Sequence, residues 1–260
     1  MLPNQRRDKI LELIQEDGQA KVQALSRIFK VTEVTIRQDL DRLEKEGFII
    51  KEHGGAVLKD ISVHVKNFAL QNQHKKVAEK MAIAKTAQSF IKNGDTIILD
   101  SGSTTSEIAK LLVNYNDLTV ITNALNIALI LGVNPNISLV VTGGEFKAPT
   151  LSLTGQKAAD FFSNLNVDKL FLATAGITLK SGITYPSIND ICVKRAMIES
   201  ANEVFLVADS SKIGLSSFAS LGALSLIDLL ITDSNISADH VKFLEEYEIK
   251  YTLAELSEAI

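Results

Sequence analysis

The chain has 260 residues, 46% hydrophobic and 22% charged, the balance of an ordinary globular protein with room for more than one domain. A formal net charge of -4 excludes a protein that coats nucleic acid by bulk charge, although a site-specific reader needs only a local basic patch. The lone cysteine, Cys192, excludes an internal disulfide and points to a reducing cytoplasm; the polar N-terminus offers no signal peptide, and the apolar runs stop short of the ~18 residues of a membrane span.

The first elements are helical. Ile10, Leu11 and Ile14 line one face of a helix over 6–15, which Gly18 stops. A second helix over 21–29 carries Val22, Leu25, Ile28 and Phe29. Lys30 and Val31 make a tight connection to Thr32, an N-cap for a third helix over 33–46 with Ile36, Leu40 and Leu43 facing inward. Strands over 48–50 and 56–58 flank Lys51, Glu52, His53, Gly54 and Gly55, where paired glycines allow a tight hairpin. Three short helices and a hairpin outline a winged helix-turn-helix over residues 1–58. The polar stretch 59–76, with His64 and His74, reads as a linker running into a helix.

The remainder, 77–260, alternates. Nearly continuous apolar runs at 96–100, 118–122, 138–142, 170–174, 204–209 and 229–232 read as strands buried on both faces. Helical segments fit between them at 104–112, 125–131, 155–163 and 190–201. This pattern predicts an α/β domain on a mostly parallel sheet, with ligands at the carboxyl ends of its strands.

Two constellations carry chemistry. The groove-facing side of the third helix holds Thr35, Arg37, Gln38 and Arg42, beside its start at Thr32 and Glu33. Arg can hydrogen-bond guanine, Gln can pair with adenine, and a helix start with a threonine hydroxyl can hold a phosphate. Lys51, His53, Gly54 and Gly55 form a wing able to touch backbone or minor groove. A solvated helical bundle would show a charged face too, and residues 1–58 hold ten Lys/Arg against ten Asp/Glu, so DNA affinity must come from charge placement. In the second region, Asp100, Ser101, Gly102, Ser103, Thr104 and Thr105 end a strand and open a helix, where amides and hydroxyls can cradle a phosphate and Asp100 can accept sugar hydroxyls. Asp209 and Lys212 follow another strand and bring a cation to the same edge; Asn123, Gly143 and Gly144 sit at further strand ends. Singly, such features also serve as N-caps and turns.

The residues themselves resemble the DeoR-type family of bacterial transcription regulators. Thr35-Ile36-Arg37-Gln38-Asp39-Leu40 followed by His53-Gly54-Gly55-Ala56 is the specific part, and similarity continues through Glu79-Lys80, 99–105, Thr122-Asn123, Gly143-Gly144, 152–155, 194–197 and 208–212. The resemblance implies a sensor domain similar in fold to ribose-5-phosphate isomerase and the coenzyme A transferases, with Lys80, Asp190 and Lys194 added to the effector-binding set. Gln38 stands where the family usually has a second Arg, Asp190 where it often has Glu, and Ala173-Thr174-Ala175-Gly176 departs from a Gly-Ala-Asn-Gly form.

The expected function is a repressor of a sugar-utilisation operon. It binds double-stranded operator DNA as a homodimer or homotetramer and is released by a phosphorylated sugar. The rivals are a sugar-phosphate isomerase or CoA-transferase-like enzyme fused to a DNA-binding domain, and a DNA-binding scaffold without a ligand. Four histidines without metal-ligand spacing, a Cys192 read as buried and inert, and the lack of a Gly-rich nucleotide loop leave no metal, catalytic residue or cofactor expected.

Overall fold

In the computed structural model, described over residues 2–17, 19–52, 54–59 and 76–256, the chain forms two compact units. His53, Gly18 and the linker with His64 and His74 lie outside the described residues. The first unit comprises α1 (Pro3–Asp17), β1 (Gln19–Lys21), α2 (Val22–Phe29), α3 (Glu33–Lys45), β2 (Ile49–Glu52) and β3 (Gly55–Leu58). Ile10 and Ile14 of α1, Leu25 of α2, and Ile36, Leu40 and Leu43 of α3 meet Ile49 and Leu58 of the strands in one core. Fully burying a side chain of this size contributes about 1.5–3 kcal/mol. The turn between α2 and α3 is sharp because Lys30 adopts a left-handed conformation and the Thr32 hydroxyl accepts from the Thr35 amide at 3.2 Å.

Two features of the wing differ from expectation. β1 was not foreseen, since three residues are too few to show a period. It pairs antiparallel with β3, so the wing is a three-stranded sheet in the order β1-β3-β2. The hairpin strands are also longer than expected: Lys51 pairs with Ala56 and Glu52 with Gly55.

The second unit contains, in chain order, α4 (Val77–Gln88), β4 (Thr96–Leu99), α5 (Ser103–Leu112), β5 (Leu118–Thr122), α6 (Leu125–Leu131), β6 (Ile137–Val141), β7 (Glu145–Lys147), β8 (Ser152–Thr154), α7 (Gln156–Asp160), β9 (Val167–Leu172), β10 (Gly176–Thr178), β11 (Gly182–Tyr185), α8 (Ile188–Ser200), β12 (Ala201–Val207), β13 (Ala219–Gly222), β14 (Leu229–Asp233), α9 (Ala238–Glu246) and β15 (Tyr251–Ala254). Seven strands form one sheet in the order β15-β14-β12-β9-β4-β5-β6, every neighbouring pair parallel. Alternate residues reach opposite faces: Ile97, Leu99, Val120 and Phe205 join Ile83, Ile108 and Ile127 from α4, α5 and α6. Ile98, Ile121, Leu170 and Leu206 join Val193, Met197 and Leu244 from α8 and α9. Cover on both faces is why these strands read as unbroken apolar runs.

Unforeseen were the edge strand β15 and a small antiparallel sheet, β10-β11-β13, whose strands have only three or four residues. No described helix is long and apolar enough to cross a membrane.

The strand order defines a switch point. From β4 the chain proceeds to β5 and β6 on one side; from β9 it proceeds to β12, β14 and β15 on the other. Crevices outside the carboxyl ends of two such strands are where open α/β sheets bind ligands.

Candidate functional site

The DNA-facing candidates are presented by α3. Arg37, Gln38 and Arg42 are exposed, as is Thr32, while Glu33 and Thr35 are half-buried. The Arg37 guanidinium donates to Glu33 at 3.0 Å one turn earlier. The Lys51 ammonium bonds the Asp41 carboxylate and its amide donates to Glu44 at 2.8 Å, which ties β2 to the flank of α3. The hydrogen bond to Asp41 holds the Lys51 ammonium above its ordinary value. Gly54 sits at the exposed tip with φ +83°, whereas Gly55 has a packing role: a Cβ there would lie 2.4 Å from the Ala20 carbonyl oxygen. The α3 frame rests on a pair that sequence reasoning missed. Arg6 of α1 grips buried Asp39 of α3 through Nε at 2.6 Å and Nη2 at 3.3 Å.

At the switch point, Asp100 follows β4 and is fully buried. Its Oδ1 accepts from the Ser101 amide at 2.7 Å and bonds the Lys194 ammonium; its Oδ2 accepts from the Ala173 amide at the end of β9, at 3.1 Å. Burial pushes the Asp100 carboxyl above its ordinary value, against the pull of Lys194 and the two amides. Lys194 also donates to the Ser101 hydroxyl at 3.2 Å and stands 5.4 Å over the Tyr185 ring. Asn123, after β5, accepts from the Ser101 amide at 3.1 Å and donates to the Leu153 carbonyl at 3.0 Å. Asp190 lies one turn before Lys194 on α8; burial, with smaller contributions from Asp100 and Asp190, raises the Tyr185 phenol well above its ordinary value. The Tyr185 hydroxyl donates to the Ala173 carbonyl at 2.6 Å.

Hydrogen bonds join Asp100, Ser101, Asn123 and Lys194 in one network, with Asp190 one turn away from Lys194 on α8. Asp100 has no free face for sugar hydroxyls. The Thr105 hydroxyl is spent on the carbonyls of Asp100 at 2.6 Å and Gly102 at 2.9 Å. The Ser101 amide is spent as well. The leading amides of α5, those of Ser103, Thr104 and Thr105, lie beyond the reach of intrahelical carbonyls. Gly102 permits the close approach of this turn to β9, since a Cβ on it would sit 2.5 Å from that of Ala173.

A second group lies at the ends of β12 and β14. Asp209 accepts from the Ser211 amide at 3.2 Å and so caps the turn that carries Lys212. Lys80 of α4 is buried; burial lowers its ammonium, Asp209 opposes this, and Lys212 adds to the lowering. Lys212 is half-buried and forms no ion pair among the described residues. Fully buried Asp233, which sequence reasoning missed, accepts from the Ser210 amide at 2.6 Å.

Gly143 and Gly144 are exposed, and Gly144 serves the approach of β8, because a Cβ on it would lie 2.7 Å from the Thr154 carbonyl oxygen. Cys192 is half-buried instead of buried, its thiol donating to the Asn189 carbonyl at 3.2 Å. Tyr185 entered the site with no sequence signal, because β11 belongs to the unforeseen small sheet.

Residues 6–62 match the model of the DeoR-like helix-turn-helix domain and residues 75–234 that of the DeoR C-terminal sensor domain. The chain belongs to the DeoR family. It is a DNA-binding transcriptional regulator. The chain is 38% identical over 255 residues to the HTH-type transcriptional regulator GolR of Listeria innocua, covering 98% of this chain and 100% of that one. It is 30% identical over 253 residues to the glycerol-3-phosphate regulon repressor of Escherichia coli K12, covering 97% and 100%. The regulatory names of these relatives set aside the enzyme rival. Among solved structures, ribose-5-phosphate isomerase A of Methanocaldococcus jannaschii overlaps 52% of this DeoR-family chain and 53% of its own, at 18% identity and TM-score 0.39.

Proposed function

We infer that the chain is a repressor of a sugar-utilisation operon, released from its operator by a phosphorylated sugar. The observation that carries this reading is the first turn of α5 at the switch point of the sheet, whose leading amides lie beyond the reach of intrahelical carbonyls, with Lys212 following β12 at the same edge. A phosphate is then held by the amides of Ser103 and Thr104 and by Lys212, with the sugar toward the surface of the Asp100–Lys194 network. A relative named as a glycerol-3-phosphate regulon repressor agrees with a small phosphorylated effector. Two operator half-sites need two DNA-binding units, so the working form is at least a homodimer in the cytoplasm, where the operator is.

The test is a mobility shift on the DNA upstream of the chain's own gene with a panel of sugar phosphates. One of them releases the wild type, and Lys212→Ala binds the DNA equally well but is not released. A Lys212→Ala variant released at the wild-type concentration removes this lysine from the site. Failure of the entire panel overturns the sugar-phosphate assignment.

A further inference from the structure

The exposed side of α3 includes a residue that no packing need explains. Val34, the second residue of the helix, is 63% exposed. Ile36, Leu40 and Leu43 are buried, so the helical period sets Val34, Gln38 and Lys45 on the opposite stripe, the one that faces outward. Arg37 lies on a flank of this stripe and is engaged by Glu33. A β-branched residue lowers helix propensity, and this one buries little in return. Gln38, one turn later, is exposed and makes no hydrogen bond within the described residues, so its amide is free to address a base edge.

We propose that Val34 is a base-reading residue: its methyl groups pack on the 5-methyl of a thymine in the major groove, while Gln38 reads an adenine beside it. Apolar side chains contact the thymine methyl, and Gln pairs bidentately with adenine N6 and N7. Residues four apart are separated by about 6 Å along the helix axis. Base pairs stack at about 3.4 Å per strand, so the two side chains address adjacent or next-adjacent pairs. Each half-site therefore contains a thymine selected for its methyl group, a discrimination that neither Arg37 nor Arg42 supplies.

The full chain is first used to select its binding sequence from random duplexes. Each thymine of the selected site is then replaced singly by deoxyuridine, which removes only the methyl. At one thymine per half-site, wild-type binding weakens about fourfold, the equivalent of about 0.8 kcal/mol for one buried methyl-sized group. Val34→Ala binds the thymine site about as weakly as the wild type binds the deoxyuridine site, and is insensitive to the replacement. Alanine is the better helix former, so thermal unfolding of this variant matches the wild type. Gln38→Ala keeps the methyl sensitivity and loses the adenine preference. Wild-type binding indifferent to every deoxyuridine, or a Val34→Ala chain that keeps full methyl sensitivity, overturns the proposal.

Discussion

Asp39 and Asp100 are both carboxylates in buried surroundings, and each is held by a basic side chain from a distant helix. Removing one partner of a buried pair leaves an uncompensated charge and costs about 3–5 kcal/mol. Asp39→Ala is expected to destabilise the winged helix by this order and to abolish DNA binding through loss of the fold. Urea unfolding checks it, and replacing Arg6 and Asp39 together by Met and Leu should restore much of the loss. For Asp100 the sign with pH is specific. Its folded-state value is raised, so the folded chain keeps a proton that the unfolded chain has released, and stability falls as pH rises between the two values. Lys194→Met removes the opposing pull and deepens that fall. The gap in urea midpoint between wild type and Lys194→Met should be widest at neutral pH and narrow on acidification toward the ordinary carboxylate range. A gap independent of pH would mean that Asp100 is not ionised against Lys194.

Among the elements, close approaches decide the geometry. The start of α5 touches the end of β9 at Gly102, where φ is 179°, so any residue could adopt the backbone and only space demands glycine. Gly102→Ala is expected to displace the first turn of α5 and to weaken effector binding at least tenfold, with operator binding unchanged. Ala173→Gly makes room on the other side, so the double variant should regain response in a titration followed by thermal shift. In the wing, Gly55→Ala meets the β1 backbone and should cost about 1–3 kcal/mol as overpacking does. Gly54→Asn, in open space at positive φ, should cost little. The helices of the first unit and the buried parallel strands were legible in the sequence because each spans several periods. β1, β7, β8, β10, β11 and β13 were not, since segments of three or four residues owe their structure to a partner strand.

For the molecule as a whole, the proposed release by a ligand would be a coupling between ligand and operator binding, and such coupling is reciprocal. A sugar phosphate that, on the proposed reading, lowers operator affinity by a given factor should bind the DNA-bound protein more weakly by the same factor. Calorimetric titration with and without operator DNA measures both; unequal factors would show that release does not proceed through one linked equilibrium. Chain-wide similarity to DeoR relatives and the two-part organisation were legible without coordinates, and so were the residues gathered at the strand ends. Their division of labour was not.

By itself, the sequence determined the winged helix, the parallel sheet, the family and the strand ends at which polar residues gather, because hydrophobic period and local motifs are properties of contiguous residues. Only the tertiary structure decided that Asp100 and Thr105 are internal braces, that Arg6 and Asp39 lock α1 to α3, and that Tyr185 packs against Lys194 beside Asp100. Those facts depend on burial and on partners brought from distant parts of the chain. A carboxylate at a strand end is the same letter whether it meets solvent, a sugar or a lysine on another helix.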